Sequence, residues 1–136
     1  MALIVSFLAV PYRVYYNSII FCMQTKIGID ILRIDRFVTS HKRGGEAFRE
    51  RIFTLQELRQ NTPEQLATIL CIKEAVMKAL ELPYDFWLTM STNRKKNGKV
   101  TCTLTDRNIA RSIASFDTSV SHEGEWVIAV AVVVYV

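Results

Sequence analysis

The feature that most constrains the fold of this 136-residue chain is one long helical segment over residues 63–82. Thr62 and Gln65 form a capping box around Pro63, which takes the first helical position. At about 100° per residue, the apolar side chains of the segment occupy most of its circumference. A helix that is apolar nearly all round is a buried helix. We therefore predict one domain whose core is built around this helix.

Three charged residues in the middle of that helix need an explanation, because a buried charge is costly unless it is paired or binds a metal. Glu74 and Lys78 are four residues apart and share a face. They form either an ion pair on an exposed strip or a metal carboxylate beside a phosphate-binding lysine. Lys73 projects from the apolar face, where it either extends its ammonium to solvent or adds positive potential to a ligand site.

A strand over residues 26–31 carries the next candidate. Isoleucine alternates there with Gly28 and Asp30, and period two is typical of a strand with one apolar face. Asp30 stands near the strand end, where it either caps the next turn or contacts a ligand. Asp30 and Glu74 together would make a two-carboxylate site for Mg²⁺, which takes one or two carboxylates plus phosphate and water.

The other elements are predicted from capping, turn and alternation patterns. We expect helices over 34–40, 46–52 and 105–114, a capping box at Thr54–Glu57, and strands over 86–93, 99–104, 116–121 and 126–135. Strand, helices, hairpin, helix, hairpin is an α+β order. The prediction is a small antiparallel sheet packed with a long buried helix.

Residues 119–122, Ser-Val-Ser-His, form a third candidate site. Ser121 and His122 end a predicted strand beside the turn at Gly124, where such side chains can bind phosphate. A nucleophilic Ser–His pair is less favoured, because no GxSxG elbow surrounds the serine.

Charge and composition exclude several classes. Seventeen Lys and Arg against thirteen Asp and Glu give a net charge of +4, which suits an anionic ligand or an acidic protein. Aromatic residues do not interleave with the basic ones, which disfavours nucleic-acid binding. No apolar run has the length of a membrane span. The three cysteines form no CxxC pair and favour reduced thiols.

Residues 1–22 differ from the rest of the chain, with apolar runs on both sides of a tyrosine-rich stretch. Met23 opens a sequence typical of a natural protein start. We interpret residues 1–22 as an atypical N-terminal extension or a mis-called start, with a membrane-surface anchor as the alternative. Residues 23–136 form the predicted domain.

Three motifs in order resemble the 4′-phosphopantetheinyl transferases of the small holo-acyl-carrier-protein synthase type. They are Ile27-Gly28-Ile29-Asp30-Ile31, Lys73-Glu74-Ala75-Val76-Met77-Lys78-Ala79-Leu80, and Ser119-Val120-Ser121-His122 before an apolar last strand. Arg51-Ile52-Phe53-Thr54 with Glu57, and Asn97-Gly98-Lys99, are similar to further positions of the pattern. The resemblance covers residues 23–136.

The resemblance implies a reaction and its residues. Such enzymes transfer the 4′-phosphopantetheine group of coenzyme A to a serine of an acyl carrier protein and release 3′,5′-ADP. Asp30 and Glu74 match the metal ligands for Mg²⁺, and Glu74 also matches a residue that helps deprotonate the serine. Lys78 matches the lysine on the phosphates, and Lys73 adds positive potential. Ser121 and His122 match the segment that contacts coenzyme A.

The resemblance also implies a cytoplasmic homotrimer with sites between subunits. Because carrier proteins of this kind are acidic, the basic residues that follow Asp30 are candidates for a docking face, with an ordinary solvated helix face as the alternative. These residues are Arg33, Arg36, Lys42, Arg43, Arg49 and Arg51.

The chain departs from the family pattern in four places. Arg33 replaces an acidic residue, which puts the outer shell of the metal in doubt. Ile69 and Leu70 replace a basic residue and an aromatic one, Glu81 stands where glycine is usual, and Val100 replaces proline. The alternative hypothesis is therefore a degenerate, non-catalytic basic module that binds an acidic carrier protein or a nucleotide.

Overall fold

The computed structural model describes residues 13–16 and 19–136. The first described strands, β1 (Arg13–Tyr16) and β2 (Ile19–Cys22), pair as an antiparallel hairpin. Residues 1–12 and 17–18 lie outside the described part of the chain. Whether residues 1–22 are an extension or a mis-called start therefore stays a prediction.

The main sheet has three antiparallel strands. They are β3 (Gln24–Arg33), β6 (Ile113–Glu123) and β7 (Trp126–Tyr135), in the order β3-β7-β6. The register pairs Asp30 with Ala129, and Ala129 with Val120. Alternate residues of each strand point to opposite faces, so Lys26, Gly28 and Asp30 share one face of the sheet.

Five helices and a second hairpin complete the domain. The helices are α1 (Ile34–Arg43), α2 (Gly45–Ile52), α3 (Leu55–Gln60), α4 (Pro63–Leu80) and α5 (Arg107–Ala110). The hairpin joins β4 (Met90–Arg94) to β5 (Val100–Leu104). Both predicted capping boxes are present, since Thr54 and Thr62 accept hydrogen bonds from the backbone N–H groups of Glu57 and Gln65.

Helix α4 lies across one face of the main sheet and is the centre of the core. Its side chains are buried around most of the circumference. They pack against alternate residues of β7, namely Val127, Ala129, Ala131 and Val133, which are all fully buried. The predicted α+β fold, with a small antiparallel sheet and a long buried helix, is confirmed.

The opposite face of the main sheet is apolar and exposed. Ile27, Ile29 and Ile31 are 63%, 57% and 58% exposed. Ile128 and Val132 of β7 lie beside them and are also exposed. We call these five residues the isoleucine face. The core thus receives the side of β3 that carries Gly28 and Asp30, and nothing in the described chain covers the side that carries the isoleucines.

Two element predictions were wrong in part. The helix predicted over 105–114 is reduced to Arg107–Ala110, capped by Asp106, because β6 already begins at Ile113 to pair with Tyr135. The strand predicted over 86–93 begins as a 3₁₀ turn, and the ladder starts at Met90. No described helix is long and apolar enough to cross a bilayer.

Candidate active site

Asp30, Glu74 and Lys78 meet where β3 crosses α4, a line of contact that we call the β3–α4 seam. The ammonium of Lys78 donates hydrogen bonds to Asp30 Oδ1 at 2.7 Å and to the Ile29 carbonyl at 3.0 Å. Glu74 lies one helical turn before Lys78 and faces the same strand residue. The sequence pattern placed these three side chains near one another, and the structure brings them together.

The close approach at the seam depends on a missing side chain. A Cβ atom built on Gly28 would lie 1.9 Å from the Ala75 carbonyl oxygen and 2.5 Å from the Ala79 nitrogen. Backbone therefore touches backbone midway between Glu74 and Lys78 along the helix. Any larger residue would push β3 away from α4 and carry Asp30 with it.

The seam is electrostatically unusual. Burial raises the pKa of Glu74 to about 7, and the neighbouring Asp30 carboxylate adds to the rise by repulsion, while Lys78 opposes it. The hydrogen bond to Asp30 raises the pKa of Lys78. Asp30 Oδ2 is buried without a hydrogen-bond partner. Such an oxygen is costly to leave unsatisfied, so this corner is suited to a cation.

These residues fit a magnesium ion. Two adjacent carboxylates, one with a free buried oxygen, supply the hard oxygen ligands that Mg²⁺ prefers, and phosphate and water complete its shell. Among residues 13–16 and 19–136, no cluster of three or more His, Cys, Asp or Glu side chains forms a closed cage. Two carboxylates fill only part of the octahedral shell of Mg²⁺, so the arrangement would leave coordination positions for a substrate.

A cleft opens from the seam at the C-terminal end of α4. Its volume is about 100 Å³, and most of its wall is apolar. Its lining residues are Glu74, Met77, Lys78, Glu81, Leu82 and Tyr84. Sequence reasoning noted Glu81 only as a departure from the family pattern and did not single out Leu82 or Tyr84, because no motif marks a wall built from a helix end and the loop that follows.

Ser121 and His122 lie at the far edge of the main sheet, on β6. The His122 ring is within hydrogen-bonding distance of a hydroxyl of α4, with 3.0 Å between its Nε2 and Thr68 Oγ1. Strand β7 separates β6 from β3, so two strand spacings, about 10 Å, lie between the Asp30 strand and this segment. Ser121 is exposed and points to the isoleucine face. Within one chain, the Ser121–His122 segment and the residues at the β3–α4 seam therefore stay apart.

Lys73 lies in the interior and away from the seam's exposed side. Its side chain is 0% exposed, so its ammonium does not reach solvent. The ammonium donates to the Ile52 carbonyl at 2.9 Å and to Glu57 Oε2 at 2.8 Å. The partner is a capping-box glutamate, and a single sequence does not show that a capping residue also pairs with a lysine sixteen positions later.

Glu57 joins three elements through one carboxylate. Its Oε1 accepts from the backbone N–H and the hydroxyl of Thr92, and its Oε2 accepts from the Thr54 N–H besides Lys73. Although burial alone would raise it, these partners hold the pKa of Glu57 below its ordinary value. The Lys73–Glu57 pair is thus a structural tie between α3, α4 and β4.

Arg33 does not share the side of β3 that carries Asp30. It lies an odd number of residues away, so its side chain points to the isoleucine face, where it bridges Asp35 and Glu125 and stacks over Trp126. Its effect on the outer shell of the metal is therefore remote. Of the other basic candidates, the four that are exposed are Arg36, Lys42, Arg43 and Arg51.

Comparison with known proteins agrees with this geometry. Residues 26–131 match the family model described as the 4′-phosphopantetheinyl transferase superfamily. The holo-[acyl-carrier-protein] synthase of Kocuria rhizophila is 32% identical over 110 residues, which cover 77% of this chain and 88% of the relative. That of Dehalococcoides mccartyi is 33% identical over 112 residues, covering 77% and 94%.

Solved structures give the same result. The holo-[acyl-carrier-protein] synthase of Helicobacter pylori, crystallised in complex with coenzyme A, matches 79% of this chain and 98% of its own, with a TM-score of 0.70 and 30% identity. The enzyme of Neisseria meningitidis matches 79% and 96%, with a TM-score of 0.67 and 26% identity.

The chain belongs to the 4′-phosphopantetheinyl transferase superfamily. Within it, the similarity to holo-[acyl-carrier-protein] synthases extends over most of both chains, so the small synthase type that the motifs indicated is confirmed, as is the prediction of an enzyme. The roles of individual site residues stay predictions.

Proposed function

We propose that this protein catalyses Mg²⁺-dependent transfer of 4′-phosphopantetheine from coenzyme A to a serine of an acyl carrier protein, with release of 3′,5′-ADP. The observation that carries the proposal is the meeting of Asp30, Glu74 and Lys78 at the open seam, with one buried carboxylate oxygen unsatisfied. The relatives named above, one of them bound to coenzyme A, supply the substrates.

The side chains of the seam divide the work. Asp30 and Glu74 would hold Mg²⁺, which when bound neutralises the diphosphate charge. Lys78 uses two of its three N–H groups on Asp30 and Ile29, so the third is free to donate to a phosphate. Glu74, whose pKa lies near neutrality in the metal-free protein, would accept the proton of the serine hydroxyl directly or through water.

We also propose that the protein assembles into homotrimers and that assembly completes the site. The isoleucine face supports an assembly, because a contiguous exposed apolar surface of this kind marks an interaction site. Ser121 and His122, the predicted coenzyme A contacts, lie across the sheet from Asp30 in the same chain. A neighbouring copy would bring such a segment to the seam.

Assembly can be tested separately from activity. Ile29→Glu places a charge in the middle of the isoleucine face and should convert trimers to monomers in sedimentation velocity. Exposed Leu88, which lies outside that face, provides the control Leu88→Glu. If the wild-type protein is monomeric at micromolar concentration, the assembly proposal fails.

We propose that the carrier protein docks on the exposed basic side chains of α1, which begins directly after β3 and four residues after Asp30. Arg36→Glu combined with Arg43→Glu should raise KM for the carrier more than KM for coenzyme A, because complementary charge mainly assists encounter. Equal effects on both constants would count against docking there. The substrates suit a cytoplasmic enzyme.

The direct test is the intact mass of an apo acyl carrier protein after incubation with this protein, coenzyme A and Mg²⁺. We expect a mass increase of one phosphopantetheine group and formation of 3′,5′-ADP, both abolished by EDTA. A folded protein that modifies none of several carriers would instead support the non-catalytic binding module.

A further inference from the structure

Three small residues of α4 face β3 along the seam. They are Cys71, Ala75 and Ala79, which follow one another at intervals of one helical turn and are at most 1% exposed. The backbone of Ala75 and Ala79 lies against Gly28, and Cys71 lies against Asp30. Of these three side chains, only that of Cys71 carries a hydrogen-bond donor.

The thiol of Cys71 lies against the backbone of Asp30. Its Sγ is 3.4 Å from the Asp30 carbonyl oxygen and 3.6 Å from the carbonyl oxygen of Val127 on β7. Burial, with repulsion from the Asp30 carboxylate, raises the pKa of Cys71 to about 12. The thiol therefore keeps its proton at neutral pH and can donate it to the Asp30 carbonyl.

The other side-chain contacts across the seam are made by lysines that water reaches. Lys78 donates to the Asp30 carboxylate and to the Ile29 carbonyl, and its side chain is 49% exposed. Lys26 of β3 pairs with Glu81 at the end of α4 and is 26% exposed. The thiol contact is the fully buried one, so water does not compete for it.

Asp30 is a residue for which a fixed backbone matters. It is 7% exposed, and its Oδ2 is buried without a hydrogen-bond partner, which points to a cation at this place. Mg²⁺ demands near-ideal octahedral geometry, so a small displacement of one carboxylate lowers the affinity. Cys71 is three residues before Glu74, so one turn of α4 carries both the thiol and the second carboxylate.

We infer that Cys71 is a positioning residue of the metal site, whose thiol holds the Asp30 carbonyl against α4 and thereby sets the separation of the Asp30 and Glu74 carboxylates. The inference rests on the proposed function. Cys71 touches neither the metal nor a substrate and acts only through Asp30. Its role is thus distinct from the packing role of Ala75 on the same face of the helix.

Serine and alanine at position 71 separate hydrogen bonding from packing. The two side chains have nearly equal volumes and both leave the space of the sulfur unfilled, but only serine keeps a donor. Cys71→Ser and Cys71→Ala should therefore lower the unfolding temperature by similar amounts. They should differ in metal affinity, because only the alanine variant releases the Asp30 carbonyl.

Metal affinity is measured with Mn²⁺, which takes the same oxygen ligands and is followed by electron paramagnetic resonance without coenzyme A or carrier protein. Cys71→Ala should bind Mn²⁺ roughly three- to fivefold more weakly than wild type, the scale of a weak S–H···O hydrogen bond. Cys71→Ser should stay within about twofold of wild type. Equal Mn²⁺ affinities in the two variants would overturn the inference.

Cys102 provides the matched control. It is also a buried free cysteine, but it lies on β5 near Lys73 and Glu57. Cys102→Ala removes the same sulfur atom and should leave Mn²⁺ binding at the wild-type value. A loss equal to that of Cys71→Ala would show that any core cavity weakens the site, which would also overturn the inference.

The hydrogen bond has a spectroscopic signature of its own. The Raman difference spectrum between the wild type and Cys71→Ala isolates the S–H stretching band of Cys71, and donation to a carbonyl lowers the frequency of that band. We expect a band below the position of a free thiol. A band at the free-thiol position would mean that Cys71 only fills space.

Kinetics distinguish a failure of this inference from a failure of the proposed function. If the wild type neither binds Mn²⁺ nor modifies a carrier, the proposed function fails and the inference falls with it. In an active protein, Cys71→Ala should need more Mg²⁺ for half-maximal transfer, while KM for coenzyme A at saturating Mg²⁺ stays unchanged. An active Cys71→Ala variant with the wild-type Mg²⁺ dependence would show that only the role of Cys71 is wrong.

Discussion

Helix α4 presents two lysine–carboxylate pairs five residues apart, and they differ in almost every respect. Lys73 and Glu57 are both 0% exposed in their side chains, and each oxygen of Glu57 is hydrogen-bonded. Lys78 and Asp30 border a cleft, Lys78 is 49% exposed, and Asp30 Oδ2 has no partner. In the first pair, Lys73–Glu57, both carboxylate oxygens have partners, and we call it the closed pair. In the second, Lys78–Asp30, one carboxylate oxygen has none, and we call it the open pair.

The difference between the two pairs indicates which part of this helix can bind a ligand. A buried pair with all its bonds made has nothing to offer a ligand, and its value is in fixing α4 against α3 and β4. A pair with an unsatisfied oxygen beside a cleft retains free energy that a bound cation or phosphate can recover. Both residues are lysines of one helix, but five residues rotate their side chains by about 140° relative to each other, so they face different surroundings.

The largest expected effect is on the open pair. Asp30→Asn and Glu74→Gln should each lower the transfer rate by roughly two to three orders of magnitude, the scale seen when a group that stabilises developing charge is removed. The unfolding temperature should change little. Glu64→Gln, at the exposed start of the same helix, is the control. Wild-type rates for both variants would show that the open pair is not the active site.

Substitutions in the closed pair should instead lower the stability of the fold. Lys73→Met leaves the Glu57 carboxylate buried without its counter-charge, which should cost about 3–5 kcal/mol in urea unfolding. The double variant Glu57→Gln with Lys73→Met should recover part of that loss. A Lys73→Met protein of wild-type stability that has lost affinity for coenzyme A would reverse the assignment and return Lys73 to the ligand site.

Gly28 tests whether the open pair depends on backbone contact. Gly28→Ala places a methyl group against the Ala75 carbonyl, and overpacking of this kind costs about 1–3 kcal/mol. Transfer should fall further than stability, because Asp30 moves away from Glu74. The control Gly98→Ala meets no atom within 4 Å and carries only the strain of a φ of 85°. Equal losses of activity in both variants would exclude a special role for the seam.

The smallest effect concerns a third buried polar group, His41. Its Nδ1 lacks a partner, as Asp30 Oδ2 does. Burial, with a smaller contribution from Arg49, lowers the pKa of His41 below 6.5. The folded state therefore binds its proton less readily than the unfolded chain does, and stability should fall as pH drops below about 6.5.

Thermal unfolding of the wild type and of His41→Phe from pH 7.5 to 5 measures that dependence. The charged side chains that line the same cavity, Glu46, Arg49, Glu50 and Arg59, are unchanged in both proteins. The variant should show the flatter profile. Identical profiles would mean that His41 does not titrate in this range, so an unpartnered buried nitrogen need not affect stability.

Local patterns were enough to predict much of this molecule. Capping residues and apolar periodicity gave the start and the burial of α4, and the alternation of isoleucine gave β3. The helix expected at 105–114 failed because pairing with β7 determines that segment, and helical propensity yields to a ladder that begins at Ile113.

The candidate site was predictable to the extent that it lies within single elements. Glu74 and Lys78 are one turn apart, and Asp30 lies on the adjacent strand, so periodicity and strand position led to all three. The partner of Lys73 was not predictable, because Glu57 is sixteen residues away in another helix. The Lys26–Glu81 pair is separated by 55 residues and likewise depends on tertiary packing.

The isoleucine face has a consequence for how this protein must be handled. If the proposed assembly is correct, another copy of the chain covers three isoleucines that are each more than half exposed. The folded state is then subject to mass action, and its melting temperature depends on the protein concentration. Dilution would lower the activity per chain even though no covalent change occurs, so assays at nanomolar and micromolar enzyme would describe different species.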